Sequence, residues 1–169
     1  MAMLFKKYLF FILFGIICGS YAVSSNPLTE KKHTKEYDAN GNLKAEGWKS
    51  MNSKTSYWTF YRINGVVSSK GHFSTNAPHG YWYVYNHQGT LIKEGHFKNG
   101  SDENWWIFYD LATKGKSEFQ FKYNQRNGFA LRYKKNKLVK VEEYEQGQKV
   151  DEWTSLFAFK LDNPNVSLQ

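Results

Sequence analysis

One interval, 24 residues, governs this chain. Trp58, Trp82 and Trp106 stand 24 apart, and Tyr61, Tyr85, Tyr109 and Tyr133 carry the spacing to four copies. Gly41, Gly65 and Gly89 keep it, as do Gly47, Gly71 and Gly95; His72 matches His96, and Phe73 matches Phe97 and Phe121. Gly80 and Gly128 lie two intervals apart with Asn104 between them. Agreement of several independent registers on one period marks a repeat architecture, in which each unit leans on its neighbours to bury its apolar side.

The clearest unit runs from Gly80 to Gly100. It holds two β-prone runs, Tyr81–Tyr85 and Thr90–Phe97, joined by the turn residues Asn86, His87, Gln88 and Gly89. Such an arrangement describes a hairpin. Lys98, Asn99 and Gly100 then turn the chain into the next copy. The expected fold is all-β: an elongated antiparallel meander of stacked β-hairpins, one hairpin per interval. Aromatic residues make up 18% of the sequence, which argues against disorder and for strands.

Alternation within a strand assigns roles to the repeated residues. Trp82 and Val84 share one side, as do Trp58 with Phe60 and Trp106 with Phe108, and these predict an aromatic ladder. Tyr81, Tyr83 and Tyr85 take the other side. Gly47, Gly71 and Gly95 fall inside the second strand of each unit, where a glycine often leaves room for close approach. A neighbouring aromatic ring is expected over each bare glycine. Tyr61, Tyr85, Tyr109 and Tyr133 form the most regular row and are the candidate contact line; the same row would serve equally as core.

The ends read differently. Residues 1–22 combine Lys6 and Lys7, an apolar run from Tyr8 to Ile17, and small residues at Ser20 and Ala22, the order of a secretory signal. An uncleaved membrane anchor is the alternative. Residues 23–36 are polar and aperiodic and read as a linker, 37–153 as the repeat domain, and 154–169 as a C-terminal cap and tail, loose from Asp162 onwards. The folded part is therefore expected outside the cytoplasm, periplasmic or extracellular.

Composition removes several chemistries. Cys18 is the single cysteine, so neither an intramolecular disulfide nor a cysteine-rich zinc site is available. The net charge is +8, and loss of a leader carrying Lys6 and Lys7 leaves +6, scattered as lysines in the manner of a solvated surface. Export and the structural use of the aromatics argue against nucleic acid. His72 and His96 sit on equivalent strands without a repeated third ligand, so no metal site is expected, and the adjacent pair Asp102 and Glu103 reads as a solvated turn. No nucleophile motif, phosphate loop or dinucleotide fingerprint occurs. No catalytic residues and no cofactor are expected.

The repeat resembles the MORN repeat, in particular its bacterial variant in the YwqK-type antitoxin-like proteins. That variant has the form Gly-x-Trp-x-x-Tyr, a turn glycine, a polar-apolar strand and a closing Asn-Gly. Gly80, Trp82, Tyr85, Gly89, Gly95, Phe97, Asn99 and Gly100 match it; Ser56 and Asn104 replace the first glycine, and Ala130 replaces the tryptophan of the last copy. The resemblance implies a hairpin array used in protein or membrane association rather than catalysis. It also brings an antitoxin or immunity role, which would require the protein to sit where its toxin acts. The leading expectation is an exported, non-enzymatic protein-binding module. The alternative is an envelope-associated protein that contacts lipid or glycan through a basic, aromatic surface.

Overall fold

The computed structural model describes residues 30–168. The leader expected over residues 1–22, with Cys18, lies outside them. The strands are β1 (Lys31–Tyr37), β2 (Leu43–Ser50), β3 (Ser53–Tyr61), β4 (Val67–Ser74), β5 (Ala77–Tyr85), β6 (Leu91–Lys98), β7 (Ser101–Asp110), β8 (Gly115–Lys122), β9 (Gln125–Lys134), β10 (Lys137–Glu145) and β11 (Gln148–Trp153). One helix, α1 (Leu156–Asp162), follows. The strands form one sheet in chain order, each antiparallel to the next. At roughly 4.8 Å per strand this meander is about 48 Å across.

The contact that holds successive hairpins together is an indole laid on a glycine. A Cβ built on Gly47 would lie 2.4 Å from the Trp58 ring, one on Gly71 2.3 Å from Trp82, and one on Gly95 2.2 Å from Trp106. Each glycine is the register partner of its tryptophan on the next strand. Trp58 and Trp106 are fully buried and Trp82 nearly so, although the sheet is a single layer. Phe73 sits edge-on between Trp58 and Trp82, and Phe97 between Trp82 and Trp106, so the rings tile one face. Lys54 and Lys93 place their ammonium groups 4.2 and 3.9 Å from the Trp58 and Trp106 ring centroids, completing the cover with cation–π contacts.

A bulge beside each tryptophan serves the same contact. The register shifts between Gly47 and Trp48, Gly71 and His72, and Gly95 and His96. On the facing strand Ser56, Gly80 and Asn104, and later Gly128, take positive φ values of 56°, 69°, 58° and 98°. This is the backbone need behind the first glycine of the repeat, and asparagine meets it better than most residues. The indole N–H of Trp58, Trp82 and Trp106 then donates to the carbonyl of Trp48, His72 and His96 at 2.9, 3.0 and 3.0 Å, so the buried donor is satisfied at the irregularity.

The fourth copy reverses the large and small partners. Phe119 stands one interval after Gly95, Ala130 one interval after Trp106, and the two are register partners, both buried. The volume of the pair is preserved while its direction changes, which explains the missing tryptophan. Phe108, Phe121 and Tyr144 pack around them.

Three expectations require correction, two of them at the ends. Residues 31–36 were expected in a linker, yet they form most of β1, whose polar sequence lacks apolar alternation because an edge strand buries little. Glu36 fastens it through Lys49 at 3.0 Å and Lys54 at 2.8 Å. The expected loose tail is also packed. Ser155 caps α1 by accepting from the Ala158 amide at 3.1 Å, and buried Phe159 meets Phe129 and Trp153 edge-on. Trp153 donates to Asp162 at 2.8 Å, and Val166 and Leu168 join the cluster around Leu131 and Val141. Asp102 and Glu103, expected in a turn, lie in β7; Asp102 pairs with Lys93 at 3.5 Å.

Gly95→Val is expected to destabilise the protein by about 1–3 kcal/mol or more, because the branched side chain must displace Trp106; urea unfolding measures it. Phe119→Gly and Ala130→Trp should each destabilise alone, whereas the double variant rebuilds the Gly–Trp pair of the other copies. A double-mutant cycle should show a favourable coupling of about 1 kcal/mol or more.

Candidate binding face

Tiling of the indoles on one side of the sheet leaves the other side to a different set of residues. Strand alternation sends Tyr57, Thr59 and Tyr61 of β3, Lys70 and His72 of β4, and Tyr81, Tyr83 and Tyr85 of β5 to this second face. Glu94 and His96 of β6, Ile107 and Tyr109 of β7, and Glu118 of β8 continue it. The helix α1 covers only its far end, over Leu131, Val141 and Trp153. Over β3 to β7 most of these side chains are half-buried among one another, and Tyr57, His72 and His96 are exposed.

The four candidate tyrosines all lie on this face, in different settings. Tyr61 donates from its hydroxyl to Glu46 at 2.6 Å, and Tyr109 donates likewise to Glu94. Tyr85 lies beneath Lys70, whose ammonium stands 5.5 Å and 5.6 Å from the Tyr83 and Tyr85 ring centroids. Tyr133 departs from the row: its ring packs against the C-terminal cluster beneath Lys116, 4.7 Å from its centroid. Three of the four therefore face solvent in part without the helix, and the fourth belongs to the covered end. The repeat markers Trp58, Trp82 and Trp106 with Gly47, Gly71 and Gly95 form the cohesive face instead.

The centre of the open face is a group that the row alone did not single out. Tyr81 packs at 5.1 Å from Tyr83 and edge-on to His96 at 4.7 Å, close enough to Glu94 to feel its charge. Glu94 thus receives the Tyr109 phenol from one adjacent strand and faces Tyr83, with Tyr81 beside it, on the other. The signal in the sequence is periodic: Glu46, Glu94, Glu118 and Glu142 keep the 24-residue interval with Lys70 at the remaining position, and Tyr61 and Tyr109 each follow their glutamate by 15 residues. Burial, followed by the hydrogen bond to Glu46, pushes the Tyr61 phenol up to about 12. Burial, followed by the charge of Glu94, pushes Tyr81 up to about 12, and Tyr109 is raised by burial and its bond to Glu94.

His72 and His96 are not brought together, since β5 lies between their strands; each is the edge partner of a tyrosine, Tyr57 at 5.0 Å and Tyr81 at 4.7 Å. Among the described residues no three histidine, cysteine or carboxylate side chains are grouped to hold a metal ion. A hollow of about 490 Å³ near Tyr133 is lined by Lys116 and Arg132, whose charges are already matched by Glu118 at 2.6 Å and Glu142 at 2.8 Å. No protein-family model matches the chain, and no curated protein is similar enough to count as a relative.

The raised phenols set an alkaline limit. In the unfolded chain these tyrosines release their protons near 10.0, whereas the folded protein holds those of Tyr61 and Tyr81 to about 12. Above pH 10 the unfolded state binds fewer protons, so the stability these groups contribute is complete below pH 10 and is lost as pH rises towards 12. Urea midpoints across this range should fall, and ultraviolet titration of tyrosinate should show a late-ionising group that Tyr61→Phe, Tyr81→Phe and Tyr109→Phe diminish.

Proposed function

We propose that this protein is a non-enzymatic recognition module that works outside the cytoplasm and presents its tyrosine face to another protein. The supporting observation is the division of labour between the two sides of one sheet. The indole–glycine contacts supply cohesion on one side, and the rings of Tyr57, Tyr81, Tyr83, Tyr85 and Tyr109 on the other stay partly open to solvent. Tyrosine suits such a role because it offers a large, stiff apolar surface with a polar tip, at low entropic cost on binding. The leader-like order of residues 1–22 supports the compartment.

The chain's resemblance to MORN repeats agrees with association rather than catalysis. Hydrolysis or transfer would need an activated nucleophile or an acid–base pair, and the carboxylates of this face are engaged by phenols or lysines.

The test is capture of a discrete partner from the native envelope fraction by the immobilised full chain. Tyr85→Ala with Tyr109→Ala should reduce capture about tenfold or more while circular dichroism and melting show an intact sheet. Unfolding of the double variant would place those rings in the core and overturn the assignment. Co-sedimentation with anionic vesicles that fades with salt would favour the lipid reading instead.

A further inference from the structure

We infer that Glu94 and the rings of Tyr81, Tyr83 and Tyr109 form a seat for a cationic side chain, an arginine above all, of the protein partner. This deepens the recognition reading and rests on it. The reason is an imbalance of charge on the open face. Glu46 has Lys35 at 3.9 Å and Glu118 has Lys116 at 2.6 Å, but among the described residues no cation forms an ion pair with Glu94. Its neighbours are the phenol of Tyr109, which donates to it, and the paired rings of Tyr81 and Tyr83 on β5. This half-buried carboxylate accepts the Tyr109 phenol, which leaves lone-pair directions open for a further donor.

The surroundings fit a guanidinium better than a neutral hydroxyl. Aromatic faces attract cations through their quadrupole, and a planar guanidinium stacks on a phenol ring while donating two hydrogen bonds to one carboxylate. The protein already uses one ring of this seat in this way, since Lys70 from the neighbouring strand stands over Tyr83, as well as over Tyr85. The net charge of +8 makes the point sharper. General electrostatics repel a polycation, so its binding to this chain requires a local site.

The experiment titrates the full chain with a hexa-arginine peptide by calorimetry at physiological salt, with hexaglutamate and chitohexaose as comparison ligands. Hexa-arginine should bind the unaltered protein, and Glu94→Gln should weaken it about tenfold. The amide of Glu94→Gln can still accept a phenol, so the melting temperature should stay close to the original. Should that variant unfold, Tyr83→Leu, which keeps an apolar strand residue but removes the π face, should show a comparable loss. Failure of hexa-arginine to bind, equal binding to Glu94→Gln, or chitohexaose binding lost in Glu94→Gln would each overturn the proposal. A partner captured through Tyr85 and Tyr109 but indifferent to Glu94→Gln would overturn it while leaving the recognition reading in place.

Discussion

The structure depends on a ring lying flat against bare backbone. A single-layer sheet has no second layer to pack on, so its apolar groups must find cover from within the sheet. The glycines at 47, 71 and 95 give the indoles of Trp58, Trp82 and Trp106 a recess in the neighbouring strand. Each ring then fills the space where a side chain would stand, and its N–H caps a carbonyl at the bulge beside it. Removing either partner leaves a void or a collision, which is why the two residue types recur together.

That economy has a consequence for the other face. Because the ladder, its phenylalanines and its lysine covers hold the hairpins in line, the opposite side is released from the demand to be uniformly apolar. It carries tyrosine, histidine, lysine and glutamate in a mixed pattern, with hydroxyls aimed at carboxylates on adjacent strands. Only at β9 to β11 does this side become core, where α1 and the residues after it supply a second layer. The sheet therefore changes from a one-layer ribbon to a two-layer cap along its length.

The repeat period made much of this legible before any coordinates. The interval located the hairpins, alternation separated Trp82 and Val84 from Tyr81, Tyr83 and Tyr85, and the strand glycines called for a ring above them. What the period could not reach lay where copies differ. Phe119 and Ala130 look like lost markers in the sequence, yet they are the same pair with its sizes exchanged, visible only once the strands are in register. β1 was hidden because an edge strand needs no apolar face, and the tail because Val166 and Leu168 acquire meaning only beside Phe159.

The sequence by itself determined the unit: its length, its two strands, the turn between them and the side to which each ring points, since all four follow from local stereochemistry repeated at a fixed spacing. Tertiary structure alone decided which side is filled and which is open. That choice depends on how far apart neighbouring strands hold their side chains and on where the bulges shift them. It also brought the rings of Tyr81 and Tyr83 on the preceding strand beside Glu94, whereas the pairing of Glu94 with Tyr109 repeats that of Glu46 with Tyr61 two intervals earlier.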